Sequence, residues 1–96
     1  MQIDKISEGS KLTIVPVGRV DTITAPEFEA AISYEGVTEL HFDLSRLDYI
    51  SSAGLRVLLS AQKKMTKQGS MVISGAKPVV REVFDITGFS DIFTLV

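Results

Sequence analysis

The chain has 96 residues, 45% of them hydrophobic and 23% charged, a composition that fits one small folded domain and excludes a disordered or collagen-like chain. Ten basic and twelve acidic residues leave a net charge of −2, with no basic block to neutralise phosphates, which argues against a nucleic-acid partner. The absence of cysteine and the single histidine exclude a disulfide framework, thiolate metal sites, a cysteine nucleophile and paired-histidine chemistry, so no metal or cofactor is expected.

Residues 2–7 and 11–18 read as short strands. Leu12 and Ile14 alternate with Thr13 and Val15, and Glu8, Gly9 and Ser10 supply turn chemistry between the two runs, so the chain opens on a hairpin. Pro16 cannot donate to a ladder, and a local irregularity is expected there. Thr24, Ala25, Pro26 and Glu27 read as a helix start: a capping hydroxyl, a first-turn proline and a carboxylate three residues after the cap. This helix is expected to run to about Tyr34 and to stop before Gly36.

Residues 38–44, TELHFDL, give a third strand with Leu40, Phe42 and Leu44 on one face, and Leu47, Tyr49 and Ile50 carry the apolar character on to Ser51 and Ser52. There the period changes. Leu55, Leu58, Leu59, Gln62 and Met65 fall at helical spacing, and Gly69, beyond Lys67, reads as a left-handed cap closing a helix of roughly four turns. MVIS at 71–74 is a strand, Pro78 opens a helix carrying Val79, Val80, Val83 and Phe84 that ends at Gly88, and DIFTLV at 91–96 is the last strand. After the hairpin, strands alternate with helices across short connections. One α/β domain spanning 1–96 is expected, with a small, mainly parallel sheet flanked by helices. No apolar run approaches the ~18 residues needed to cross a bilayer, and MQIDKISEGS has no apolar signal core, so a soluble cytoplasmic protein without membrane contact is expected.

The stretch LDYISSAGLRVLL, residues 47–59, raises the question of function. At a strand-to-helix junction either serine can cap free backbone N–H groups, although Gly54 and Leu55 stand where a capping box needs Glu or Gln. A serine nucleophile needs a base, and the one histidine, His41, lies ten residues before Ser51 in a strand. No phosphate-cradling glycine motif occurs. Gly54 in the first helical turn costs up to ~1 kcal/mol relative to alanine, and beside Ser51, Ser52 and Ala53 it gives a low, open helix start over which a partner can pass. Leu55, Val57, Leu58 and Leu59 are more apolar than one buried stripe requires, so part of that surface is expected to face a partner.

From the strand before GRVDTITAPEF, through FDLSRLDYISSAGLRVLLSAQKKMTKQG, to KPVVREVFDITGFSDIF, essentially the whole chain resembles the STAS-domain anti-sigma factor antagonists. The resemblance implies a small, mainly parallel α/β sheet flanked by helices. It also implies a regulatory protein with no catalytic activity of its own. In that family the serine or threonine before the small-residue-Gly-Leu of the junction is phosphorylated, which is Ser52 here, with Ser51 the alternative acceptor. Many members carry aspartate where this chain has Ser51, and a second hydroxyl where it has Ala53. Asp21 of GRVD matches a family aspartate on the partner-binding surface, and the expected surface comprises Asp21, Thr22, Ser51, Ala53, Gly54, Leu55 and Val57. The implied partners are an anti-sigma factor serine kinase, bound by the unmodified protein so that a sigma factor or other effector is released, and a PP2C-type phosphatase that reverses the modification. A monomer is expected. The alternatives are a STAS scaffold or assembly module without phosphorylation control, and a small hydrolase using Ser52.

Overall fold

In the computed structural model, which describes residues 1–96, a ten-residue strand organises the sheet. This strand, β2 (Lys11–Val20), follows β1 (Gln2–Glu8) in an antiparallel hairpin whose register runs unbroken from Gln2↔Val17 to Glu8↔Lys11. Two parallel partners then meet β2 in succession. Strand β3 (Glu39–Asp43) pairs with Lys11–Ile14, and β4 (Leu47–Ile50) pairs with Gly18–Val20. Strand β5 (Ser70–Ser74) lies parallel to β3 on its other side. Three of the four pairings are parallel, as the alternation of strands and helices predicts.

Pro16 falls between the two stretches of β2 that take parallel partners, so its missing N–H costs that ladder nothing. The irregularity lies two residues further on, at Gly18/Arg19, where the register shifts and Gly18 takes φ +90°.

Helices α1 (Ala25–Ala30), α2 (Ser52–Thr66) and α3 (Pro78–Thr87) complete the domain. Leu12, Ile14, Leu40, Phe42, Met71 and Ile73 alternate along their strands and join one cluster with Phe28 of α1 and Leu55, Leu58, Ala61 and Met65 of α2. Phe28 meets Phe42 edge-on at 5.8 Å, fixing α1 against β3. Val80 and Phe84 of α3 and Phe93 belong to the same cluster, so the core sits between the sheet and all three helices.

Three boundaries differ from expectation. Helix α1 ends at Ala30, not near Tyr34, because its last turn tightens: the Ala31 and Ile32 N–H groups donate to Phe28 and Glu29 three residues back. The chain then drops Ile32 into the core before turning to β3. Gly69 is not a left-handed cap, as its φ is not positive. It is required by a close approach instead, since a Cβ there would lie 1.9 Å from the Thr38 carbonyl oxygen. Residues 91–96 form no regular strand. A short 3₁₀ turn, Phe89–Asp91, brings Phe93 edge-on to Phe84 at 5.6 Å, leaving only a bridge between Ile73 and Leu95 beside β5.

Candidate functional site

The two serines stand in different surroundings. Ser51 is extended (φ −93°, ψ 175°) and donates its N–H to the Val20 carbonyl at 2.8 Å, which ties the end of β4 to the end of β2. Its carbonyl accepts the Leu55 N–H at 3.0 Å, and its Oγ accepts the Gly54 N–H at 3.4 Å. Ser51 is thus the N-cap of α2. Ser52 is the first helical residue, exposed to solvent, and its hydroxyl takes part in none of the side-chain hydrogen bonds.

Gly54 does not open the helix start to a partner; it faces inward. A Cβ there would stand 2.7 Å from Ile50 Cγ1 and 2.8 Å from Val20 Cγ1, so glycine is what lets α2 settle directly on β4 and β2. Leu55 and Val57, 4% and 5% exposed, are core residues. The apolar excess read along the helix is absorbed inward, because α2 buries one side against the sheet and another against α1. Val57 still reaches the candidate surface as part of a groove of about 240 Å³ between α1 and α2, lined by Thr22, Ala25, Pro26, Glu29, Ala53, Arg56 and Val57.

Asp21 builds the loop beside this groove. Its Oδ1 accepts the N–H groups of Ile23 and Thr24, each at 3.0 Å, and its own N–H donates to Thr24 Oγ1 at 2.9 Å. This reciprocal arrangement has the form of a capping box, with Asp21 in the cap role that the sequence suggests for Thr24. Thr24 itself is already helical and makes no capping bond to α1. The Thr24 N–H holds the Asp21 carboxyl below its ordinary value against the opposing effect of desolvation, and the Thr24 hydroxyl, the Ile23 N–H and Arg19 assist. Arg19 Nε lies 3.4 Å from Asp21 Oδ2.

The structure thus brings Asp21, Thr22, Ser51 and Ala53 to one end of the domain, joined through the Ser51–Val20 hydrogen bond and the shared groove. Ile23 belongs with them and escaped the sequence reading. It is 87% exposed at the tip of the Asp21 loop, and the signal was an isoleucine set between threonines in a turn, where no core position is available. Arg56 and Glu29 were also missed; both line the groove. Two other residues stand apart. His41 Nε2 is engaged with Ser74 Oγ at 2.6 Å across β3 and β5, so it is no base for Ser52. Asp48 pairs with Lys77. No group of three or more His, Asp or Glu side chains is placed to hold a metal ion, and no helix is long and apolar enough to cross a membrane.

This architecture is that of a small α/β domain with a mixed sheet, a capped strand-to-helix junction and a surface loop set against it. Residues 2–96 match the STAS domain, and the chain belongs to that family. Among its relatives is BtrV of Bordetella bronchiseptica, assigned as an anti-sigma factor antagonist, which is 46% identical over 80 residues, covering 79% of this chain and 69% of BtrV. The anti-sigma-B factor antagonist of Listeria monocytogenes is 33% identical over 88 residues, covering 88% of this chain and 77% of that protein. Among solved structures, the anti-sigma factor antagonist SpoIIAA in its unphosphorylated form superposes with a TM-score of 0.83 at 20% identity, covering 99% of this chain and 88% of that one. The phosphorylated form of SpoIIAA, a Bacillus cell fate determinant, gives 0.76 at 19% identity, with 99% and 91% covered. At such identities the likeness establishes the fold.

Proposed function

We propose that this domain is an anti-sigma factor antagonist that works by partner switching. The unmodified domain binds an anti-sigma factor serine kinase through the Asp21–Thr24 loop, the helix start and the groove between α1 and α2, and so releases a sigma factor or another effector. Phosphorylation of Ser52 ends the binding, and a PP2C-type phosphatase restores it. The names of the relatives support the antagonist reading, and the division of labour between the two serines supports the acceptor. Ser51 is committed to the cap, whereas Ser52 is exposed with an unengaged hydroxyl beside the candidate docking surface.

The physics of such a switch is local. A phosphate adds about −1.5 to −2 charges at a helix start that prefers anions, worth ~0.3–1 kcal/mol, so the fold tolerates it. A partner packed over a neutral helix start does not, because it would have to enclose a bulky charged phosphate that its own surface does not meet. The test is incubation with the serine kinase and ATP, followed by fragment-ion mapping and binding measurements. Phosphate on Ser52, loss of labelling in Ser52→Ala with kinase binding retained, and weakened binding in Ser52→Asp are expected. Phosphate confined to Ser51, or equal affinity of the modified and unmodified forms, would overturn the reading.

A further inference from the structure

The chain has four arginines, and three are engaged: Arg19 with Asp21 at 3.4 Å and over the Tyr49 ring at 4.7 Å, Arg46 with Asp4 at 3.0 Å, and Arg81 with Asp85 at 3.6 Å. Arg56 alone has neither a carboxylate nor a ring as partner. It is exposed, on α2, four residues after Ser52. In an α-helix that spacing puts two side chains on one face with Cβ atoms about 5–6 Å apart, well within the reach of an arginine.

We infer that Arg56 is a positioning residue for phosphoserine 52, pairing with the phosphate along its own helix; the inference rests on Ser52 being the acceptor, as proposed above. The guanidinium suits the role, since its planar fork binds two phosphate oxygens at once with charge-assisted hydrogen bonds. The pairing also changes the docking surface. Arg56 and Glu29 are the only charged side chains lining the groove between α1 and α2. When the phosphate draws Arg56 toward Ser52, Glu29 is left as the groove's only charge. Modification then removes a cation from the surface as well as adding an anion, and both changes act against a partner that fits the unmodified groove.

The test uses the full chain with phosphoserine placed at position 52 during translation, so that no kinase is needed. Phosphorus NMR is expected to put the second phosphate ionisation of the wild-type chain about half a unit below that of Arg56→Gln, with Arg56→Lys between them. The Arg56 Nε–H resonance of the wild-type chain is expected to shift on modification, a measurement that needs no variant to fold. Coincident titration curves for wild type and Arg56→Gln, or an unmoved Arg56 resonance, would overturn the inference. A kinase that fails to label Ser52 would refute partner switching instead, and the titration would stand on its own result.

Discussion

Replacing each serine of the junction by alanine separates the capping hydroxyl from the proposed acceptor. In Ser51→Ala the Gly54 N–H loses its acceptor, and N-cap losses of this kind cost ~0.5–2 kcal/mol. The bond is long at 3.4 Å, so the lower third of that range, ~0.5–1 kcal/mol, is expected. For a domain of this size 1 kcal/mol moves the thermal midpoint by roughly 4–8 °C, which places the Ser51→Ala midpoint about 2–8 °C low. Ser52 makes no side-chain hydrogen bond and is exposed, so Ser52→Ala is expected within about 0.5 kcal/mol of wild type. Ser51→Asp is the internal control, since aspartate caps as well as serine, and its midpoint is expected to match wild type. Thermal unfolding followed by circular dichroism reads all three variants. A loss in Ser52→Ala equal to that in Ser51→Ala, or a neutral Ser51→Ala, would refute the assignment of cap and acceptor.

Gly54→Ala gains helix propensity but drives a methyl to 2.7–2.8 Å from Ile50 and Val20; overpacking of ~1–3 kcal/mol should prevail, and a raised thermal midpoint would contradict the inward packing of this residue. Ile23→Asp is expected to weaken kinase binding at least tenfold, or ~1.4 kcal/mol, with an unchanged midpoint, whereas Lys64→Asp should leave affinity within a factor of two or so. Asp21 and Asp43 have folded pKa values below their unfolded ones, held there chiefly by the N–H groups of Thr24 and Ser45. Their contribution is present above the unfolded value of ~3.9 and disappears as pH falls through the lower folded values. Acid midpoint curves for Asp21→Asn and Asp43→Asn should therefore be flatter than that of wild type below that point, and parallel curves would exclude the effect. Phosphorylation of Ser52 should move amide resonances only around residues 20–26 and 50–57, and shifts spread through β1, β5 and α3 would point to a conformational switch instead.

Much of this architecture was legible because the two periods, 2 and 3.6, are cleanly separated along the chain. Leu12 and Ile14, Leu40 and Phe42, and Met71 and Ile73 mark one sheet face, and Leu55, Leu58 and Met65 mark a helix that packs on it. The candidate site was legible only in outline. Pattern reading placed Ser51 and Ser52 at a strand end, and the resemblance added Asp21, but pattern could not distinguish an apolar surface from a helix buried on two sides, so Leu55 and Val57 read as exposed excess. Gly54 and Gly69 misled for a related reason: each glycine answers a tertiary approach, by Ile50 and Val20 or by the Thr38 carbonyl, that no local pattern encodes. The C-terminal DIFTLV has strand composition, yet Phe93 satisfies an aromatic cluster with Phe84 and Phe89 at 5.6 and 5.7 Å, and that tertiary demand overrides propensity.

The same close approach that hides Gly54 explains why a switch at Ser52 would act by exclusion. Ser52 stands one residue from a cap hydrogen-bonded to β2, and two residues from a glycine whose missing side chain lets the helix backbone rest on Ile50 and Val20. A helix start held this way has no slack to translate or rotate without opening the contact between α2 and the two strands. Packed interiors resist such small continuous deformations, so a charge added at Ser52 finds no soft internal coordinate to drive. It acts outward, on the Asp21 loop, Arg56 and the groove. Rigidity toward the core and exposure toward solvent are therefore two aspects of one arrangement: Ser51 and Gly54 fix the helix, and Ser52 is left exposed with its hydroxyl unengaged, as the proposed acceptor requires.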